Sequence, residues 1–257
     1  MSNPIALLGR AVITLVEEIG GMALMFIKIL SYTPRPPYRI RLFFKQLEFI
    51  GVKSTMVVLL TGLFSGMVLA LQGYYGFRKF GGESLLGATV ALSLVRELGP
   101  VLTGLMVTAR AGSAIAAEIG TMRVTEQIDA LTVMAVNPIH YLVVPRFWAG
   151  VIMVPLLTIL ADAIGIAGGY FVGVILLHID SGIYVAKMKE LVELYDIMNG
   201  LYKAFVFGGL LTLIGCYKGY HARGGAEGVG RATTEAVVIS SISILAGDYI
   251  LTSLLFS

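Results

Sequence analysis

The chain has 257 residues, of which 57% are hydrophobic and 14% are charged, and its mean hydropathy is +0.86. Soluble domains carry about 25% charged and about 45–50% apolar residues, so this composition excludes a soluble globular protein and predicts an integral membrane protein. The net charge of +3 is small and scattered, which argues against a nucleic-acid-binding protein, and the single Cys216 excludes an internal disulfide framework.

The N-terminal part of the chain predicts helices that lie at the membrane surface. Residues 5–30 are apolar, but Glu17 and Glu18 fall near their centre, where each would cost about 2.5–3.5 kcal/mol inside a bilayer. We therefore favour an interfacial helix here over a membrane span, which the length alone would allow. The prolines of residues 33–37 break the chain, and residues 38–53 predict a second, basic amphipathic helix at the surface.

Five membrane spans are predicted after this region, and the fold class is all-α. Each span has at least the roughly 20 residues that a transmembrane helix needs to cross the bilayer. The predicted spans are residues 55–75, 85–108, 147–177, 197–217 and 232–256. Gly62 and Gly66 in the first span have the GxxxG spacing of closely packed helices. The chain thus divides into interfacial helices over residues 1–54 and a transmembrane domain over residues 55–257.

The basic residues predict the orientation of the chain. With the N-terminus in the cytosol, most of the 19 lysines and arginines lie in cytosolic segments, as the positive-inside rule requires. This orientation gives a multi-pass protein with its C-terminus outside and with residues 110–138 in the cytosol.

The most informative segment is the polar run of residues 110–138, between the second and third spans. It carries charges of both signs, at Arg110, Glu118, Arg123, Glu126 and Asp129. Its apolar residues form two stripes that differ in phase: Ile115, Ile119 and Met122, then Val124, Ile128, Leu131 and Ala135. The stripes predict two short helices, or one helix bent near Gly120. Mixed charge favours a surface that meets another protein over a pore lining, although periodicity alone also allows a loop helix without a partner.

Four runs of residues carry a family resemblance. They are LSLVRELGPVL at 92–102, ARAGSAIAAEIGTMRVTEQIDAL at 109–131, NPIHYLVVPRFWA at 137–149 and GVGRATTEAVV at 228–238. From about residue 46 to its end the chain resembles the MlaE/YrbE permease family, the membrane subunits of ABC transporters that move phospholipids between membranes. The resemblance implies the MlaE-type permease fold.

The resemblance also implies a set of partners in the inner membrane of a Gram-negative bacterium. A second copy of the chain would pair with the first, and a cytosolic ABC ATPase would bind residues 110–138 as a coupling helix. The residues implied in that coupling are Arg110, Glu118, Arg123, Glu126 and Asp129. A periplasmic ring of MCE-domain protein and a STAS-domain protein would complete a system that maintains outer-membrane lipid asymmetry.

No G-x-x-x-x-G-K-[ST] motif occurs in the chain, so ATP and Mg²⁺ are expected on the partner ATPase. The glycine loop of residues 224–230 lacks the lysine of a phosphate loop. The three histidines lie in separate loops, so we expect no metal site, and no spacing of residues indicates catalysis.

Four of the charged residues within the predicted spans are the main candidates: Arg96, Glu97, Lys203 and Asp248. At about 1.5 Å per residue, all four lie in the middle to outer half of the bilayer. Isolated charges at this depth are costly, so we expect them to pair or to face a polar cavity. Our hypothesis is that they meet near the axis of a dimer and handle phospholipid headgroups. The alternative is plain interhelical pairs, Glu97 with Lys203 or Arg96 with Asp248.

Three other residues are weaker candidates. Gln72 and Tyr75 lie near the outer end of the first span, as anchors at the membrane interface or as a mouth for acyl chains. Asp162 in the third span has no evident partner. Two other functions stay open, a permease for another lipid such as a sterol and a lipid channel outside the ABC class. A secondary transporter would show internal repeats.

Overall fold

The structure, a computed structural model, describes residues 4–255, apart from the side chains of residues 4–8, 10, 11 and 15. Eight helices and no strand run through this part of the chain. They are α1 (Pro4–Tyr32), α2 (Ile40–Arg78), α3 (Glu83–Val124), α4 (Gln127–Val133), α5 (Ile139–Leu176), α6 (Ser181–Leu191), α7 (Leu194–Tyr220) and α8 (Gly225–Leu255). The predicted all-α fold class is confirmed.

Five of these helices, α2, α3, α5, α7 and α8, are long and apolar enough to cross a membrane. The five predicted spans are therefore confirmed, although Phe256, the predicted end of the fifth, lies outside the described residues. The helices α2 and α3 have 39 and 42 residues, which makes each about 60 Å long. A bilayer core is only about 30 Å thick, so both helices extend well beyond it.

The length of α2 and α3 corrects two predicted boundaries. The amphipathic helix of residues 38–53 is not separate from the first span, because it forms the beginning of α2. Likewise, the polar segment does not begin a new helix at Arg110, because α3 continues to Val124. In both places a π-helical turn, Glu48–Val52 in α2 and Thr108–Gly112 in α3, adds a residue to one turn without ending the helix.

The N-terminal α1 lies against one end of the bundle and is not among the five spanning helices. Its Phe26 ring is 5.7 Å from the ring of Phe147, near the start of α5. At its end, the Thr33 hydroxyl accepts a hydrogen bond of 2.9 Å from Trp148 Nε1. Its Glu18 contacts Lys218, at the end of α7. The start of α5 and the end of α7 lie on the same side of the bundle, so these contacts agree with an interfacial helix.

Small residues bring α2 and α5 into backbone contact. A Cβ atom on Gly62 would lie 2.6 Å from the carbonyl oxygen of Ala161, and one on Gly66 would collide with the carbonyl of Gly165. The predicted GxxxG packing is thus confirmed, with α5 as the partner helix.

The helix α7 occupies the middle of the bundle. It contacts α1, α3, α5 and α8, and its Phe207 and Leu211 are fully buried. The charged residue that α7 carries within the membrane, Lys203, is therefore surrounded by protein.

Candidate functional site

A cluster of charges inside the bundle is centred on Lys203, whose side chain is fully buried. Its Nζ donates hydrogen bonds to Glu97 Oε2 and Thr252 Oγ1, both at 2.7 Å, and to the Arg96 carbonyl oxygen at 2.9 Å. Asp248 Oδ1 lies 3.0 Å away. An ammonium group has three donors, so protein acceptors engage all of them. The cluster joins α3, α7 and α8.

The Arg96 carbonyl is available to Lys203 because of Pro100. A proline has no backbone N–H, so the carbonyl four residues before it loses its helical partner. A π-helical turn over Leu94–Leu98 carries the chain past this point. One turn before Lys203, Gly200 packs on the Val95 carbonyl so closely that any side chain there would collide with it. Pro100 therefore leaves the Arg96 carbonyl oxygen free to accept a hydrogen bond from Lys203.

Arg96 has a different partner from the predicted one. Its Nε and one terminal nitrogen lie 2.7 Å and 2.6 Å from Asp196 Oδ1. The other oxygen of Asp196 accepts the Glu193 backbone N–H at 3.0 Å and so caps the start of α7. The Arg96–Asp248 alternative is therefore wrong, whereas the Glu97–Lys203 pair is present. The sequence did not predict Asp196 as a partner of Arg96, because Asp196 lies one residue before the predicted fourth span.

The cluster carries more negative than positive charge. With all groups ionised, Lys203 faces two carboxylates, those of Glu97 and Asp248. The side chains of Arg96 and Glu97 are 39% and 37% exposed, and that of Asp248 is 20% exposed. Solvent or lipid can therefore reach these three residues, while Lys203 is enclosed.

Gln72 and Tyr75 are exposed on α2. No hydrogen bond or ion pair among the described residues joins them to the Lys203 cluster. The structure thus brings together four of the six residues predicted to handle lipid, and leaves these two at a separate place near the end of α2.

Asp162 lies within α5, beside α3. Its Oδ1 is buried without a hydrogen-bond partner among the described residues, and a side chain on Gly99 would collide with that oxygen. Neither the sequence nor the described part of the structure provides a hydrogen-bond partner for Asp162 Oδ1.

Two of the five predicted coupling residues, Arg110 and Glu118, contact α2 and α5. Arg110 donates a hydrogen bond to the Phe49 carbonyl, and its guanidinium carbon lies 4.7 Å from the centre of the Phe49 ring. It thereby ties α3 to the π-helical turn of α2. Glu118 Oε2 lies 2.9 Å from a terminal nitrogen of Arg146, whose side chain is buried. These two residues hold the polar segment against the bundle.

The other three coupling residues surround the turn between α3 and α4. Arg123 forms an ion pair of 2.6 Å with Asp129 across this turn, and Glu126 adopts a left-handed conformation with φ of 61°. The bend therefore lies at Thr125 and Glu126, and the predicted bend near Gly120 is wrong. Gly120 instead packs closely on α8, where a Cβ atom would lie 3.4 Å from Val229.

The two apolar stripes of this segment face the bundle itself. Ile115, Ile119 and Ile128 are buried in the main core, and the turn at Thr125 and Glu126 accounts for their shift in phase. The helix α4 buries only Ile128. The exposed apolar residues at its end are Val133 and Met134, at 87% and 68% exposure. We call α4 with Val133 and Met134 the α4 tip.

A second buried lysine was not recognised from the sequence. Lys218 Nζ lies 2.7 Å from Glu18 Oε1 and 3.0 Å from Glu235 Oε2, and so joins α1, α7 and α8. Its position near the predicted end of a span gave it the appearance of a solvated cytosolic residue. Glu18 is also one of the two glutamates that argued against a span in α1, and this pairing accounts for it.

Comparison with known proteins agrees with this architecture. The family model described as Permease MlaE matches residues 43–254. A probable ABC transporter permease protein of Rickettsia typhi is 48% identical over 250 residues, covering 97% of this chain and 96% of that protein.

Two further relatives extend this comparison. The intermembrane phospholipid transport system permease protein MlaE of Haemophilus influenzae is 46% identical, covering 99% of this chain and 98% of its own. A probable ABC transporter permease protein of Synechocystis is 42% identical, with coverage of 82% and 81%.

Proposed function

This chain belongs to the MlaE permease family and is a membrane-spanning permease, and we propose that it moves phospholipids between the inner and outer membranes as part of an ABC transporter. The Haemophilus influenzae relative, similar over its whole length, is named for intermembrane phospholipid transport. This favours a phospholipid cargo over a sterol, and an ABC permease over an unpowered lipid channel.

The observation that carries the proposal is the α4 tip. The tip follows α3, the helix that bears the intramembrane charges Arg96 and Glu97. The tip buries a single residue and exposes Val133 and Met134 beside Glu126 and Asp129. Apolar residues rimmed by charges are typical of a protein–protein contact. The ATPase binds here, and ATP and Mg²⁺ act on that subunit, so this chain itself is not an enzyme. Arg110 and Glu118 act by holding the tip in place.

The remaining parts of the proposal concern the assembly. Two copies of the chain sit in the inner membrane of a Gram-negative bacterium, with the N-terminus in the cytosol and the C-terminus in the periplasm. A ring of MCE-domain protein sits on the periplasmic side, and a STAS-domain protein binds the ATPase. The concentration of basic residues at the end of the bundle that carries the α4 tip supports this orientation.

The exposed sides of Arg96 and Glu97 contact the phospholipid headgroup in this proposal. A guanidinium group suits a phosphate oxygen, and Asp196 and Lys203 hold the two side chains in place. Asp248 adjoins them on α8, and Gln72 and Tyr75 guide acyl chains at the outer end of α2.

Cysteine crosslinking tests the docking of the ATPase. Met134→Cys places a thiol on the α4 tip, and Phe80→Cys places one in the exposed loop at the opposite end of α3. The native Cys216 is buried, so it contributes little background. In the assembled complex we expect Met134→Cys to crosslink to the ATPase and Phe80→Cys not to do so. A crosslink from Phe80→Cys alone would reverse the orientation, and no crosslink from Met134→Cys would refute docking at the tip.

A further inference from the structure

A groove lies between α2 and α5 at the α1 end of the bundle, with a volume of about 390 Å³. Its lining includes Arg39, Phe43, His140, Val144, Trp148 and Ile152. We propose that this groove binds an anionic phospholipid, with the headgroup phosphate at Arg39 and an acyl chain along Val144 to Ile152. The site is separate from the Lys203 cluster, which lies towards the other end of α7.

Arg39 supplies the polar end of the site. Its guanidinium carbon lies 4.3 Å from the centre of the Tyr141 ring, which fixes the plane of the group. Its Nε is buried without a hydrogen-bond partner, and no ion pair joins its side chain to another described residue. A guanidinium group held this way lacks an acceptor, and its donors match the oxygens of a phosphate.

The charges around the groove favour a lipid with a net negative headgroup. The lining contains the cationic Arg39 and no carboxylate, and Arg35 is exposed nearby in the chain. A zwitterionic lipid also carries a phosphate, but its ammonium group would meet cations here and find no anionic partner. A phosphodiester without that ammonium is therefore the better complement.

The apolar end of the groove fits an acyl chain that enters from the bilayer. Val144 and Ile152 are separated by about 12 Å along α5, and Ile40 and Ile152 are exposed at the opening. The Trp148 ring forms part of the wall, since its Nε1 is held by Thr33. Tryptophan and tyrosine at the end of a bundle are typical of the level of the lipid headgroups.

Trp148 makes the proposal measurable because it is the only tryptophan in the chain. The full chain is reconstituted in zwitterionic phosphatidylcholine vesicles, and lipid with brominated acyl chains, which quench tryptophan fluorescence, is titrated in. We expect brominated phosphatidylglycerol to reach half-quenching at a mole fraction about fivefold lower than brominated phosphatidylcholine. Trp148 also borders a second, wholly apolar groove with Phe205 and Leu213, where the two lipids should quench equally.

Arg39→Gln is expected to abolish the difference between the two lipids, whereas Arg41→Gln, which removes an exposed charge outside the groove, should preserve it. Arg39→Lys should keep part of the preference, and Val144→Phe should weaken quenching by filling the apolar end. Equal quenching of the native chain by both lipids would overturn the proposal, as would an unchanged preference in Arg39→Gln. Because binding is measured without transport, the outcome does not depend on the proposed cargo.

Discussion

Replacing Lys203 by methionine is expected to lower the free energy of unfolding by about 3–5 kcal/mol, because removing one partner of a buried ion pair leaves the other charge uncompensated. The structure places this variant at the upper part of that range. Glu97 and Asp248 would face each other without the ammonium that separates them, and the Arg96 carbonyl would lose its donor.

A matched control is available in α6. Lys187 lies 2.7 Å from Glu190, the same distance as between Lys203 and Glu97, but its side chain is 40% exposed and that of Glu190 is 60% exposed. Exposed ion pairs contribute about 0–1 kcal/mol, so Lys187→Met should change stability by no more than that. The contrast isolates the effect of burial.

The assay is unfolding by sodium dodecyl sulfate in mixed micelles, followed by helical circular dichroism. The triple variant Lys203→Met, Glu97→Gln and Asp248→Asn should recover most of the lost stability, because a neutral, well-packed group can replace a buried ion pair. If Lys203→Met lost no more stability than Lys187→Met, the reasoning would be refuted. A stable triple variant that no longer transports lipid would assign the cluster a role beyond holding the helices together.

Three further outcomes are expected from the same unfolding measurement. Gly66→Ala should cost about 1–3 kcal/mol because its Cβ meets the Gly165 carbonyl, whereas Gly76→Ala on the same helix meets nothing and should be harmless; similar losses in both would contradict the close packing. Burial raises the pKa of Tyr184 to about 12, so the unfolded chain releases this proton at a lower pH than the folded chain, and stability should fall between about pH 10 and 12. Tyr184→Phe should remove the part of this fall that Tyr184 causes, and a pH profile that the substitution leaves unaltered would contradict the prediction. Glu126→Gly should raise stability by about 1 kcal/mol, because glycine adopts the positive φ of this position without strain. A loss of stability would contradict this strain, and a stable variant with a lower rate of ATP-driven transport would show that the Glu126 side chain contacts the ATPase.

The number of spans could be predicted from the sequence because it depends on hydrophobic length. Lys203 and Glu97 pair as the cost of isolated charges requires. Asp196 could not be assigned to Arg96, because its position just outside a span made it look solvated.

The polar segment shows a different limit. The spacing of its apolar residues predicts two stripes, but spacing does not show which part of the protein packs against them. Ile115 and Ile128 turned out to pack on the chain's own core, and the exposed residues of the α4 tip, Val133 and Met134, fall outside the pattern. The continuation of α3 past Arg110 could not be predicted, because a π-helical turn leaves no mark in hydropathy.

The unbroken course of α3 has a mechanical consequence. Glu97 and Val124 lie on one rod, separated by about 40 Å along its axis, with one end beside the intramembrane charges and the other at the proposed docking site of the ATPase. A tilt of about 10° about the middle of this rod would move each end by about 3.5 Å, enough to part Glu97 from Lys203. The π-helical turn at Thr108–Gly112 lies midway, where such a lever would have its pivot.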